Sequence, residues 1–242
     1  MFFALATAII CTAFFIEALL GFGGGIIAVP LLAQFLEPAK AVTIVLFFQL
    51  LNSLYLASTN YKKADRQSLR LIVPSIVIAS IAGVLLTPYM SQTFFMFVLG
   101  ALILLDLIRA RFYPSLGSEA MREAPPVLIG GVVGLILGAF GIGGPILVMY
   151  LNEKFTDRFV FRATLISIFF VSNSIRGLTS VFTTAFDGTV LKYCLIALPF
   201  FLLSIFLGQK AHNYLGQAAF RKGVELLLFL AAISLIVRSL MI

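Results

Sequence analysis

Residues 20–30 read LGFGGGIIAVP, and residues 140–150 read FGIGGPILVMY. Each stretch interrupts a long apolar run with glycines and a proline, the poorest helix formers. A chain that breaks an apolar helix twice in the same manner, half its length apart, carries a pattern rather than an accident. Outside the two clusters the sequence is that of a membrane protein. Of 242 residues, 61% are hydrophobic and 11% charged, against about 25% charged in a soluble domain. Apolar runs fall at 1–36, 41–59, 71–88, 92–108, 125–151, 163–184, 189–208 and 223–242. Several are long enough to cross about 30 Å of hydrocarbon as helix. The reading is an all-α, polytopic helical membrane protein.

The clusters lie in the first and fifth runs, which divides the chain into two four-element repeats. Gly21, Gly23, Gly24 and Gly25 align with Gly141, Gly143, Gly144 and Pro145. The following run carries FFQLLNS at 47–53 in one half and FFVSNS at 169–174 in the other. Pro74 precedes Gly83 by the same nine residues that separate Pro199 from Gly208. Three landmarks in one order argue for duplication, with 1–111 the first repeat, 112–124 a cytoplasmic linker and 125–242 the second repeat of one integrated membrane domain.

Through GFGGGIIAVP, its degenerate copy GIGGPILVMY and the duplication, the chain resembles the TauE/SafE (sulfite exporter, TSUP) family of permeases. The resemblance implies a transporter of sulfite, thiosulfate or an organosulfonate in a bacterial inner membrane. The residues themselves support only an anion. The copies differ where Pro145 replaces a glycine and Tyr150 replaces Pro30, so the halves are not expected to be equivalent.

Charge sets the expected topology. If every run crosses once, the basic residues divide almost evenly between the faces. If each glycine-broken run enters and leaves on one side, Lys62, Lys63, Arg66, Arg70, Arg109, Arg111, Arg122, Lys154, Arg158, Arg162, Lys210, Arg221 and Lys222 share a face. Only Lys40, Lys192 and Arg238 then lie opposite. The positive-inside rule favours this arrangement. It makes the repeats inverted, each starting with a re-entrant or discontinuous helix, and puts both termini outside. The first apolar run lacks a basic n-region and is expected to remain in the mature chain.

Broken helices are tolerated in a membrane where protein or a cavity supplies partners for the backbone. After each break a short helix is expected, near Gly25 and at Pro145, presenting free N–H groups and a positive dipole end. That is an anion site in outline. The expected substrate-binding set is Gly21, Gly23, Gly24, Gly25, Gln49, Asn52, Gly141, Gly143, Gly144, Pro145, Asn173 and Arg176. Arg176 stands deep in the run 163–184, where a charge is costly and needs a cavity or a partner; its guanidinium suits a bidentate oxyanion pair. Asn173 and Ser172 lie one turn before it. The alternatives are an ion pair with a buried acid, or a position nearer the helix end. Tyr55 holds the matching place in the first half. Glu17 is the candidate for proton coupling, with a plain pairing role as the alternative.

Other residues point away from function. Glu225 and Asp106 fall near run ends, and His212, the sole histidine, lies in a basic loop. Cys11 and Cys194 read as packing residues. No HExxH, GxSxG or Walker A motif occurs, and His and Cys are too few for a metal centre. The expectation is therefore no enzyme, cofactor or metal. A net charge of +7 in so apolar a chain belongs to cytoplasmic loops rather than to nucleic-acid binding. The function expected is a secondary transporter whose partners are a small anion, the bilayer and a coupling ion, the proton. In alternating access one repeat would rock against the other. An anion channel, or a permease for a cation or another solute, is the competing reading; oligomeric state is open.

Overall fold

Both apolar runs that carry the glycine clusters divide into two helices. The computed structural model describes residues 2–20, 23–113, 118–183, 187–211 and 217–241; Gly21 and His212 lie outside them. The helices are α1 (Phe2–Leu20), α2 (Gly24–Leu32), α3 (Pro38–Asn60), α4 (Arg66–Leu86), α5 (Gln92–Phe112), α6 (Ser118–Glu123), α7 (Pro126–Phe140), α8 (Gly144–Lys154), α9 (Arg158–Val181), α10 (Gly188–Ala211) and α11 (Gln217–Met241). Single 3-10 turns at Tyr61–Lys63 and Thr87–Tyr89 complete the described structure. Among the described residues, five helices are long and apolar enough to cross a membrane, over Pro38–Ser58, Arg66–Tyr89, Gln92–Phe112, Phe159–Val181 and Gly188–Gly208. Two more, over Phe2–Ala18 and Pro126–Phe140, are apolar but shorter. Large apolar side chains such as Ile78, Leu105 and Leu202 face outward, as a lipid solvent requires.

Several boundaries differ from the sequence reading, each for a local reason. The short helices begin one residue early, at Gly24 and Gly144: the Gly24 N–H is capped by Glu17, and Pro145, which has no N–H, falls in the opening turn of α8. The linker 112–124 contains the helical turns of α6. Run 163–184 is the helix 158–181: Asp157 accepts the Phe159 N–H at 2.7 Å and starts it early. Arg176 therefore stands five residues from the helix end instead of near its middle.

The chain forms two compact units, each drawing on both halves of the sequence. The first comprises 1–45, 90–113 and 185–242. In it α1 packs along α10, and α5 along α11. The Phe14 and Phe201 rings meet edge-on at 5.1 Å. A Cβ on Gly208 would lie 2.8 Å from the Phe15 carbonyl oxygen and 2.7 Å from Ala18 Cβ. Asp187 starts α10 by accepting the N–H groups of Thr189 and Val190, both at 2.9 Å, and pairs with Lys40 at 3.1 Å.

The second unit comprises 46–89 and 114–184. Its centre is the contact of α4 with α7, which sequence reading missed. Gly130, Gly134 and Gly138 recur every four residues on one face of α7. A Cβ would lie 2.7 Å from the Ile72 carbonyl oxygen at Gly130, and 2.6 Å from that of Ile76 at Gly134. At Gly138 it would strike the Ser80 carbonyl oxygen. Small residues at this spacing let membrane helices touch backbone to backbone. From α4, Gly83 answers: its Cβ would lie 2.6 Å from the Leu135 carbonyl oxygen and 2.9 Å from Gly138 Cα. Beside this seam, Ile72, Ile76, Ile129, Val133, Leu147, Tyr150, Leu151, Leu165 and Ile168 form an apolar cluster, against which Met121 and Ala124 pack.

Candidate functional site

The site is built on α9 of the second unit. Arg176 is the largest fully buried side chain there, with 0% exposure. An arginine buried in an apolar bundle must satisfy five N–H donors. Two are spent on Nη1, which donates to Asn173 Oδ1 at 3.0 Å and to Gln49 Oε1 at 3.3 Å. Among the described residues Nε and Nη2 have no hydrogen-bond partner and no carboxylate forms an ion pair with Arg176. The unpaired atoms are the two that form the side-on fork of a guanidinium, the edge that binds two oxygens of one oxyanion in parallel.

Neighbouring helices hold this edge in place. Gln49 on α3 accepts from Arg176 through Oε1 and donates through Nε2 to the Gly141 carbonyl at 3.3 Å. Asn173 orients itself by donating Nδ2 to Ser53 Oγ at 3.4 Å and to the Gln49 carbonyl at 3.5 Å. Gly141, Gln49, Asn173 and Arg176 are thereby joined in one network. Gly141 closes α7 in the left-handed region, with φ 73°, where an L side chain is strained. Gly143 has an ordinary negative φ and is needed for space: its Cβ would lie 2.8 Å from Leu137 Cβ and 2.9 Å from the Val133 carbonyl oxygen. Gly144 and Pro145 open α8 with no side-chain cap. Asn52 is buried in the same unit.

The other break belongs to the first unit. Gly23 takes φ 108° and Gly24 begins α2. Here the sequence reading of Glu17 gains a structural role it lacked: Glu17 accepts the Gly24 N–H through Oε2 at 2.8 Å. Its side chain caps the helix start, the end where the dipole is positive. A Cβ on Gly24 would strike that same oxygen, so Gly24 is set by the carboxylate beside it. Gly25 is buried one residue further on. At the start of α8, by contrast, no side-chain cap is found among the described residues.

Residues 5–235 match the family of the sulfite exporter TauE/SafE. The chain belongs to that family. TauE/SafE proteins are membrane transporters and not enzymes, which agrees with the apolar spanning helices here. A similar TauE/SafE relative is the probable sulfite/organosulfonate exporter TauE of Cupriavidus necator, 29% identical over 142 residues. That alignment covers 57% of this chain and 54% of the relative, so the chain spans about half the length of that exporter. No solved structure matches.

Ser172 was noted in the sequence as a neighbour of Arg176 but not placed in the binding set. It is fully buried, and its hydroxyl has no partner.

Proposed function

We propose that this protein is a secondary transporter that moves a small sulfur-containing oxyanion, such as sulfite, thiosulfate or an organosulfonate, through the site at Arg176. One observation carries the reading: a wholly buried guanidinium whose Nε–Nη2 edge has no acceptor among the described residues. Leaving a charged donor unpaired in an apolar interior is expensive, so the edge is matched to a bound anion. Family membership and the sulfite/organosulfonate exporter named in Cupriavidus necator supply the sulfur chemistry. The test is flux of labelled sulfite in proteoliposomes. Arg176→Gln should abolish it while the protein remains folded; undiminished flux would remove Arg176 from the pathway. Trans-stimulated counterflow distinguishes a carrier from a channel.

We further infer that the glycine-broken runs are hairpins and that the basic loops share the cytoplasmic face. In the second unit, Lys63 lies over the Phe159 ring at 4.6 Å, and the Asp65 N–H donates to Thr164 Oγ1 at 2.9 Å. Single crossings throughout would put those two loops on opposite faces. In the first unit the Lys40–Asp187 pair supports the same conclusion for the other face. The packing of α6 against α8 supports it again. An α7 of 15 residues separates its ends by about 22 Å, so α8 reaches α6 by turning back.

The repeat reading draws support from matched contacts. Gly83 backs onto Leu135 and Gly138, and Gly208 backs onto Phe15 and Ala18. The two α7 positions lie 120 residues beyond the two α1 positions, as Gly141 lies beyond Gly21. The Gly134–Ile76 approach and the Phe14–Phe201 ring contact form a further pair by the same alignment. On this basis the halves are inverted repeats, and the inner membrane with both termini outside is the proposed setting.

A further inference from the structure

Among the described residues, unpaired buried polar side-chain atoms are few, and most of them sit on one turn of one helix. They are Ser172 Oγ, Arg176 Nε and Arg176 Nη2, with Ser68 Oγ elsewhere. Ser172 and Arg176 are four residues apart on α9 and so lie on one face. Both are 0% exposed. Four other hydroxyls of α9 return to the preceding turn: Ser167 to the Ala163 carbonyl, Ser174 to Phe170, Thr179 to Ile175 and Ser180 to Arg176, each at 2.8 Å. That bond satisfies a hydroxyl in a membrane helix at little cost. Ser172 does not make it. The network that ties Gln49, Asn173 and Ser53 to Arg176 Nη1 leaves both Ser172 and the guanidinium fork out.

We propose that Ser172 is the specificity-determining third donor of the anion site, and that it selects a three-oxygen sulfur head group over a planar carboxylate. This rests on the reading of Arg176 as the anion-binding residue. A guanidinium fork engages two oxygens in its own plane. A carboxylate has no others. A sulfonate or sulfite has a third oxygen out of that plane, and a hydroxyl one helical turn before the arginine is placed to donate to it. A carboxylate leaves the buried Ser172 hydroxyl unpaired, and an unmet buried donor is what gives a polar site its discrimination.

The experiment uses the purified full-length chain in detergent, with labelled sulfite as probe and two competitors of matched carbon skeleton, ethanesulfonate and propionate. The wild-type protein should yield its sulfite to ethanesulfonate at a concentration about tenfold or more below that needed for propionate, the ratio expected from one hydrogen bond to a charged group. Ser172→Ala should bring that ratio close to unity by weakening ethanesulfonate and sparing propionate. Ser172→Thr, which keeps the hydroxyl, should retain it. If Ser172→Ala is unstable, Ser172→Cys holds the volume with a poorer donor and should also lower the ratio. An unchanged ratio in Ser172→Ala or Ser172→Cys overturns the inference, as does equal weakening of both competitors. Arg176→Gln separates the two claims: if it still binds sulfite, the Arg176 site itself is wrong. If it loses sulfite while Ser172→Ala leaves the ratio unchanged, only the role of Ser172 falls.

Discussion

Arg176 and Gln49 are joined at 3.3 Å, through the guanidinium nitrogen that faces away from the fork. The same amide holds the Gly141 carbonyl at 3.3 Å, so one glutamine couples the buried charge to the helix break. Gln49→Glu should keep the shape but supply Arg176 with an internal carboxylate. Sulfite flux should then fall to background, while in thermal stability the new ion pair is set against the lost amide bond to the Gly141 carbonyl. Flux near the wild-type level would show that the charge of Arg176 need not be free.

Gln49→Leu takes away both bonds and leaves Nη1 short of an acceptor. Loss of a partner to a buried polar group costs about 1–3 kcal/mol, and the melting temperature should drop accordingly. A melting temperature equal to that of the wild-type protein would mean that Gln49 carries no structural burden.

The glycines of the second break make a graded prediction. Gly144→Ala should be mild, since its Cβ would meet only Phe169 Cζ at 3.6 Å. Gly141→Ala forces an L residue into the left-handed region, at about 1–2 kcal/mol. Gly143→Ala drives a methyl into α7 and should be the most disruptive after membrane insertion. Thermal unfolding of the three variants gives the order directly; a Gly144→Ala protein less stable than Gly143→Ala would contradict the geometry.

Glu17 is our candidate for proton coupling. Glu17→Gln keeps an acceptor for the Gly24 N–H but has no titrating charge, so sulfite flux should persist and lose its dependence on the pH gradient. Glu17→Ala lacks the cap as well and should be destabilised by about 0.5–2 kcal/mol. A Glu17→Gln protein that still responds to the gradient assigns coupling to another group.

Outside the spanning segments, Asp187 is held below the usual carboxylate range by the Val190 N–H, then by Lys40. A depressed folded-state value means stability that is present above the unfolded value of about 3.9 and lost as the pH falls through the folded one. Acidification below about pH 4 should therefore cost the wild-type protein more than Asp187→Asn. Parallel melting curves against pH would disprove the assignment.

Topology has its own test. Reporter fusions at Ser118 and Glu153 should report the same face, because α8 is proposed to return alongside α7. Opposite faces would restore single crossings and cancel the inverted arrangement.

What the sequence disclosed follows from how each residue signals. Gly23 and Gly141 were legible because glycine clusters are rare in apolar helices, and both prove to be positive-φ positions. Arg176 stood out because charge is rare at that depth. Gln49 was expected as an anion donor of the binding set; that it bonds both Arg176 and Gly141 depends on the packing of α3 with distant segments. Glu17 was visible as a buried acid, but its bond to Gly24 spans a backbone turn that spacing does not describe. Gly130, Gly134 and Gly138 were readable in principle, as a four-residue repeat of small residues, but the eye goes to the denser cluster that follows.

The seam between α4 and α7 has a mechanical consequence. Where backbone rests on backbone, a helix cannot slide by a fraction of a step, since the next seat lies four residues or about 6 Å away. On the proposed repeat alignment the matching positions on α1 are Ile10, Phe14 and Ala18, two of which carry bulky side chains instead of glycine. The glycine ladder is thus a detent: it fixes the register of α4 on α7, so that movement along this seam comes in whole steps or not at all.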